Sequence, residues 1–548
     1  MKNLLRTALI LTLISTVAFG MIPRVAVIPV PEDSLNNGGV GNMIAGQDID
    51  GDGAKEIYLV NDNWKDGESE LVPRIYKLER EVGDTMYNIV WSATPQDYQS
   101  GIIQNTWPTF AITDLDDDGK MELTWGIVNF TNATNTNPYR IWVYEHAGGD
   151  NFGVYDETSG KWMPNSVWDI ADANIRPFSW EIYDINDDGI DEIIFAGRTP
   201  DMRIGICSVD NIPDDGDSSE TWFMEYSSAD ITNYGGDNKW DVAIIGNTAY
   251  LFDEAVISKV TCDNFNYTYT ELSPLPGGLS RDAAQVCDVN GDEVFEIITA
   301  EYKYGADTRN IWLLQEDSDT LKRTPLFDIY GEDYLDGGNI VGGDQGDIDG
   351  DGNVDFIFGS NASGYPNGMI FRVEYLGSGD ITDPLNWELT IADTSVGEYS
   401  NITTGMWSIV DVANVDDDSA DEIIFTSSTP YTESDPNVSF PIYILDTGDY
   451  TTDVKYILEP TSFELGKAYP NPFNPATIIP FTLEKSGMVT LIVFNVKGER
   501  VSTLISNDRM ESGHHNVMFD ASDLASGVYV YQLKVDNTMR AAKMVLNK

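Results

Sequence analysis

The stretch DIDGDGAKE, Asp48 to Glu56, carries acidic side chains at its first, third, fifth and ninth positions, and the chain repeats this plan five more times. The copies read DLDDDGKME from Asp114, DINDDGIDE from Asp184, DVNGDEVFE from Asp288, DIDGDGNVD from Asp347 and NVDDDSADE from Asn414. Their starts lie 66, 70, 104, 59 and 67 residues apart, so the third interval is long by about one unit. Inside it, NYGGDNKWD from Asn233 to Asp241 reads as a degraded copy with Gly235 at the third position. Seven units result.

A second landmark gives the same count. Each unit has a β-prone run further on: RIYKL at Arg74, RIWVY at Arg140, RIGIC at Arg203, TAYLF at Thr248, NIWLL at Asn310, MIFRV at Met369 and PIYIL at Pro441. Segments around the loops, such as FAITDLD and MELTWGIV, are rich in β-branched and aromatic residues, and no long segment has helical periodicity. Each unit therefore reads as a strand, a tight acidic turn, a second strand, a linker and a third strand. NSVWDIA and KVTCDNF are candidates for a fourth. Repeats of this length and content predict an all-β fold, a seven-bladed β-propeller whose neighbouring blades cover each other's faces. RVAVIPV, from Arg24, is a candidate outer strand for the seventh blade and competes with TDVKYIL near residue 455.

Carboxylates this close together repel unless a cation sits between them. Hard oxygens at alternate positions and a carboxylate at the ninth suit calcium, which accepts six to eight oxygens at flexible angles. Up to six Ca2+ ions are expected. The ligands would be Asp48, Asp50, Asp52 and Glu56; Asp114, Asp116, Asp118 and Glu122; Asp184, Asn186, Asp188 and Glu192; Asp288, Asn290, Asp292 and Glu296; Asp347, Asp349, Asp351 and Asp355; and Asn414, Asp416, Asp418 and Glu422. Gly53, Gly119, Gly189 and Gly352 fit a sharp turn at the sixth position, where the fifth unit has Glu293 and the seventh Ser419. The degraded fourth copy is expected to bind nothing. These are not EF-hands, which need a longer loop and flanking helices.

The chain opens with MKNLLRTALILTLISTVAFG, a basic start, an apolar run and small residues at Ala18 and Gly20, as in a cleaved export signal over residues 1–20. No later stretch is apolar enough to span a membrane. Three cysteines, Cys207, Cys262 and Cys287, lack metal-ligand spacing. The formal charge is −58, and residues 21–460 hold 82 acidic side chains against 21 basic ones, whereas 461–548 are close to neutral. That shift marks a domain boundary near Pro460. The field of the first part excludes nucleic acid and anionic lipid as partners, and its aromatic and apolar content excludes disorder.

The acidic loops resemble the FG-GAP/VCBS repeats of integrin-alpha-type propellers over roughly residues 36–460. The resemblance implies calcium between the first two strands of a blade and leaves function open between adhesion, carbohydrate binding and companionship to enzyme modules. From Leu465 the chain shows YPNPFNP, the run VTLIVFNVKGERV from Val489 to Val501, SGVYVYQL at Ser526 and a terminal Lys-Met-Val-Leu run. Residues 461–548 resemble the type A C-terminal sorting domain of type IX secretion, and their six or seven alternating segments suggest a small Ig-like β-sandwich. The resemblance implies the type IX machinery as a partner and a destination outside the cell, secreted or on the outer surface.

Residues 21–460 contain one histidine, His146, and no nucleophile-elbow, zinc-protease or phosphate-loop motif. The carboxylates are accounted for as metal ligands. A non-catalytic adhesion or ligand-binding protein for a glycan or protein is the expected function; a polysaccharide-degrading enzyme or accessory module, and a structural surface component, are the alternatives. Trp107 and Trp407, each seven residues before a loop start, are candidate ligand-binding aromatics at the rim away from the loops, with packing between blades as the competing role.

Overall fold

The computed structural model describes residues 22–28, 39–62, 73–80, 87–99, 105, 107–127, 139–170, 175–199, 202–230, 238–278, 280–302, 310–317, 320–329, 339–363, 368–394, 404–406, 408–416, 418–427, 430–432, 435–439, 441–447, 463–471, 473–483, 486–495, 500–510, 513–522, 524–535 and 538–548. The export signal, Asn233–Asp237 of the degraded copy, the TDVKYIL segment and Trp407 lie outside them. The chain divides into two compact units, Met1–Val454 and Lys455–Lys548.

In the first unit the strands next to the acidic loops decide the architecture. Glu56–Asn61, Glu122–Gly126, Glu296–Ala300 and Glu422–Thr426 are buried along their whole length. A strand apolar on both faces needs a cover on each side of its sheet. Seven antiparallel sheets, each with a main path of four strands, supply that cover for one another. The first runs Val40–Gln47, Glu56–Asn61, Ile75–Glu79 and Asn88–Ala93 in chain order. Seven apolar clusters each join two successive sheets. The one formed by Val25, Ile28, Ile424 and Ile442 with Val40, Ile57 and Tyr76 joins the seventh sheet to the first. The sheets form a closed ring, the arrangement of a β-propeller.

The seventh sheet is completed from the other end of the chain. Arg24–Ile28 pairs antiparallel with Ile442–Leu445 as its outer strand. The Arg24 guanidinium also bonds to Asp393 of the sixth sheet at 2.7 Å.

The fourth unit differs from the sequence expectation by one strand. Asp241 opens the innermost strand, Asp241–Ile245, so NYGGDNKWD precedes that strand instead of following it. The turn between the first two strands is the tight pair Gly246-Asn247, with no acidic loop at all. TAYLF is accordingly the second strand of its sheet, whereas the other six matching runs lie in third strands. KVTCDNF falls in a third strand, Ile257–Asp263, and only NSVWDIA supplies a fourth, Ser166–Trp168.

Innermost strands meet around a central channel of about 590 Å³. Acidic and amide side chains stitch them together across sheets. Asp241 accepts from the Ala283 and Ala284 amides, Asp344 from Val412 and Asp411 from Ala45, while Gln345 donates to the Val286 carbonyl. Burial, and for Asp411 also the Asp344 charge, raises both carboxyls above the ordinary carboxylate range.

In the second unit, a three-stranded sheet that includes Ala476–Leu483 and a four-stranded sheet that includes Gly487–Asn495 share one apolar core of Ile479, Phe481, Leu491, Val493, Tyr531 and Leu533.

Removing residues 22–28 strips Val25 and Ile28, both about 4% exposed, from the seam between the seventh and first sheets. Burying each side chain stabilises by roughly 1.5–3 kcal/mol. The truncated protein should melt several degrees lower by calorimetry and become susceptible to limited proteolysis in 409–445. An unchanged transition would show that the ring closes without this strand.

Candidate functional site

The six acidic loops share a hydrogen-bonding plan at the fifth and ninth positions, and four of them complete it at the first. In the other two, Asp48 accepts only from Gly53 and Asn414 instead donates to the Asp418 and Ala420 carbonyls. The first carboxylate caps the turn: Asp114 accepts from the Asp118 and Gly119 amides, and Asp184, Asp288 and Asp347 do the same in their loops. The fifth-position carboxylate accepts from the amide two residues on, as Asp118 does from Lys120 and Asp418 from Ala420. The ninth, at the start of the second strand, accepts from the second-position amide with one oxygen: Glu56 from Ile49, Glu122 from Leu115, Glu192 from Ile185, Glu296 from Val289, Asp355 from Ile348 and Glu422 from Val415. The sixth residue has positive φ in five loops, at Gly53, Gly119, Gly189, Gly352 and also Glu293. This backbone requirement explains the glycine preference and shows that the fifth loop meets it at a steric cost.

What these bonds leave over is informative. The second oxygen of Glu122 and of Glu422, with Asp116 Oδ1 and Asn186 Oδ1, is buried and has no hydrogen-bond partner. A buried acceptor without a partner is costly. In the second loop Asp114, Asp116, Asp118 and Glu122 bring oxygens within 4.8 Å of one another; Asp48, Asp50 and Glu56 do so in the first, and Asp184, Asp188 and Glu192 in the third. Asp52 is not among the grouped oxygens of the first loop. Burial, then the neighbouring negative charges, pushes the Glu122 carboxyl up to about 9. Burial likewise raises Glu192 and Glu422 to about 8.

Three loops contain a cation of their own: in the second, the partly exposed Lys120 ammonium lies 3.2 Å from Asp118, and two others are reached by a more deeply placed cation from a third strand. The buried Lys77 ammonium, from the third strand of the first sheet, lies 3.3 Å from Asp50, 2.9 Å from Glu56, 3.1 Å from Glu79 and 2.8 Å from Asp150. Burial opposes its charge, but hydrogen bonds to Asp150 and Glu56 outweigh that and raise its pKa. In the sixth sheet Arg372 bonds to Asp349 and Asp355 at 2.6 Å and to Glu374 at 2.9 Å. Both arise from one register: Tyr58 pairs with Lys77 and Ile357 with Arg372, so each cation stands two residues along from the ninth-position acid's partner.

Trp107 lies at the channel mouth away from the acidic loops. Its φ is 50°, and its ring packs on Phe178 and Trp240 at 5.7 and 6.2 Å between centroids. The Arg281 guanidinium stacks 3.8 Å above it, and Arg198 approaches the same group. The space left there, about 30 Å³, is no larger than one water. Trp107 is part of a packed plug, which favours the packing role.

A separate cleft of about 410 Å³ lies between the outer parts of the second and third sheets, and sequence reasoning missed it. Trp168 and Trp222 line it as a parallel stack, with Tyr98, Tyr139 and Glu220. These residues have no repeat-wide counterpart, so no periodic signal points to them.

Among curated protein sequences none matches this chain. Among solved structures, it is similar to a fungal alcohol oxidase of the AA5 family in complex with copper, at 10% identity and TM-score 0.41, covering 96% of this chain and 100% of that one. It is also similar to a mutant NanB sialidase from Streptococcus pneumoniae, at 12% identity and TM-score 0.37, covering 78% and 70%. A third, alpha-L-arabinanase from Penicillium chrysogenum complexed with arabinobiose, shows 14% identity and TM-score 0.34 over 62% and 92%. None is similar enough to bring a substrate or mechanism with it. Among the described residues no helix is long and apolar enough to cross a membrane. Residues 467–547 match the secretion system C-terminal sorting domain, so the tail is a type IX sorting domain and implies export to the cell surface or beyond.

Proposed function

We propose that this protein is an extracellular, calcium-stabilised binding module: a seven-bladed FG-GAP/VCBS-type propeller, delivered by an Ig-like sorting tail, that holds a glycan or protein ligand without catalysis. The observation that carries the calcium reading is the division of labour at the ninth position. One oxygen of Glu122 or Glu422 ties the loop to its strand, and the other is buried without a partner. In the second loop it joins three more carboxylates within reach of a single ion. All the donors are hard oxygens, which fits Ca2+ better than a transition metal.

The loops rank differently than carboxylate count alone suggests. The second has four converging acids and fits the ion best, since its Lys120 is partly exposed and reaches only Asp118 among them. Lys77 and Arg372 are more deeply buried against the first and sixth-sheet loops, each pairing with two of the loop acids. In the fourth sheet there is no loop of this kind. The binding reading is supported by how the channel acids Asp241, Asp344 and Asp411 are used: their oxygens accept backbone amides of the next sheet, which engages them in holding the ring.

Chelation by EGTA should lower the melting temperature of residues 21–460 markedly, because the folded loops bind the ion and unfolded ones scarcely do. Asp116→Ala should remove more of that calcium response than Asp349→Ala. A melting temperature indifferent to calcium at low ionic strength would remove the proposal.

The pH dependence has a definite sign. Without the ion, Glu122, Glu192 and Glu422 hold protons up to about pH 8–9 in the folded state but lose them near 4.5 when unfolded. Apo stability should therefore be greatest below about pH 4.5 with respect to these groups and fall as pH rises towards 9. Calcium should flatten that slope and release protons on binding at pH 7, readable by calorimetry in buffers of different ionisation enthalpy. A chelated protein whose stability rises over this range would contradict the assignment.

Deleting 465–548 should leave a folded propeller retained in the periplasm, detected by fractionation. Normal yield in the medium would show that the tail is not the address.

A further inference from the structure

The cleft between the second and third sheets has the chemistry of a sugar site. Ser166–Trp168 ends the second sheet and Trp222–Ser227 the third. Their indoles stack with centroids 5.2 Å apart and planes within 7°, both half-buried and both lining the cleft. Tyr98 stands beside them, 46% exposed. Burial, Tyr139 and the Glu220 charge hold its phenol above the ordinary range, so it remains a hydroxyl donor.

The polar wall is fixed by a relay. The Trp222 indole N–H donates to Ser166 Oγ at 2.9 Å, and the Ser166 hydroxyl donates to Glu220 Oε1 at 2.6 Å. Glu220 is thereby held at the cleft, and its other oxygen, Oε2, is shielded from solvent without a hydrogen-bond partner. That acceptor has no donor among the described residues.

We propose that this cleft binds an uncharged pyranose unit of a glycan, its C–H face against the cleft-side surface of the stacked indoles and a hydroxyl donating to the Glu220 carboxylate, which turns slightly to present Oε2. Resting on the reading of the propeller as a binding module, this names the ligand class and the place. A volume of about 410 Å³ lies within the usual range for small-molecule sites, roughly 300–1,000 Å³. Aromatic faces with a few fixed polar groups are the usual composition of such sites. Charge selects further: an anionic sugar meets Glu220 and a chain of formal charge −58. A quaternary ammonium would suit the aromatics and the carboxylate. It has no use for Ser218 and Thr221, which are among the residues lining the same cleft and carry hydroxyls.

The test is affinity electrophoresis and tryptophan-fluorescence titration of the calcium-loaded mature chain against galactomannan, xyloglucan, mixed-linkage β-glucan and polygalacturonate. At least one neutral polymer should bind, polygalacturonate should not, and Trp168→Ala and Glu220→Ala should each weaken binding at least tenfold. Trp168→Phe, which keeps an aromatic face, should retain most of it and guards against loss of fold. Absence of binding to every neutral polymer, equal binding of polygalacturonate, unaffected variants, or displacement by tetramethylammonium would each overturn the proposal. The chelator response of the melting temperature is measured in the same samples. If it persists while no neutral glycan binds, the cleft assignment fails and the calcium-stabilised propeller stands.

Discussion

A strand that is apolar on both faces cannot lie in a sheet with an open side, and that constraint organises the first unit. Each sheet has at least one such strand, Glu56–Asn61 being typical. Stacking sheets would cover all but the two end faces, and closing the stack into a ring removes the ends. The seven apolar seams, including the one that joins the seventh sheet to the first, follow from this single demand. Closure leaves a central gap, and the side chains around it are acidic and amide groups that hold neighbouring strands by their backbones.

Electrostatics is the second organising term. Carboxylates are drawn into one small volume at the outer end of every innermost strand except the fourth. The structure relieves their repulsion by three devices: backbone amides aimed at the first, fifth and ninth positions, protons retained on buried acids such as Glu122, and cationic side chains such as Lys77 and Arg372. The three are unevenly distributed, so loops with almost identical sequences are not equivalent sites. Asp48–Glu56 and Asp114–Glu122 both have acids at the first, third, fifth and ninth positions, yet the first has a fully buried ammonium among them and the second only the partly exposed Lys120 beside Asp118.

Much of this was legible because the loop motif is dense and strictly spaced. Its copies locate six innermost hairpins to the residue, whereas the segment from Arg24 was only one of two candidates for the outer strand of the seventh sheet, and the pairing with Ile442–Leu445 decides between them. The fourth unit was misread by one strand for a physical reason. Its real turn, Gly246-Asn247, needs only two residues and no acids, while NYGGDNKWD nearby has the composition of a turn. Second and third strands are equally apolar, so TAYLF gives no sign of which it is. Lys77 and Arg372 could not be assigned either, since their role depends on cross-strand register. The Trp168–Trp222 pair joins residues 54 apart in the outer parts of two different sheets, where the repeat pattern has already faded.

The strand Arg24–Ile28 has a bearing on the order of events during folding. It precedes the rest of the ring in the chain, and its partner Ile442–Leu445 follows some four hundred residues later. Six sheets can form from local hairpins in chain order, each with short loops to close. The seventh cannot be completed until nearly the whole unit has emerged, and until then Val25 and Ile28 have no seam to enter. Ring closure is thus a late, non-local step in a chain otherwise built of neighbouring contacts. Until then the chain is an open arc with two uncovered apolar sheet faces, the kind of surface that makes an incomplete copy prone to aggregate.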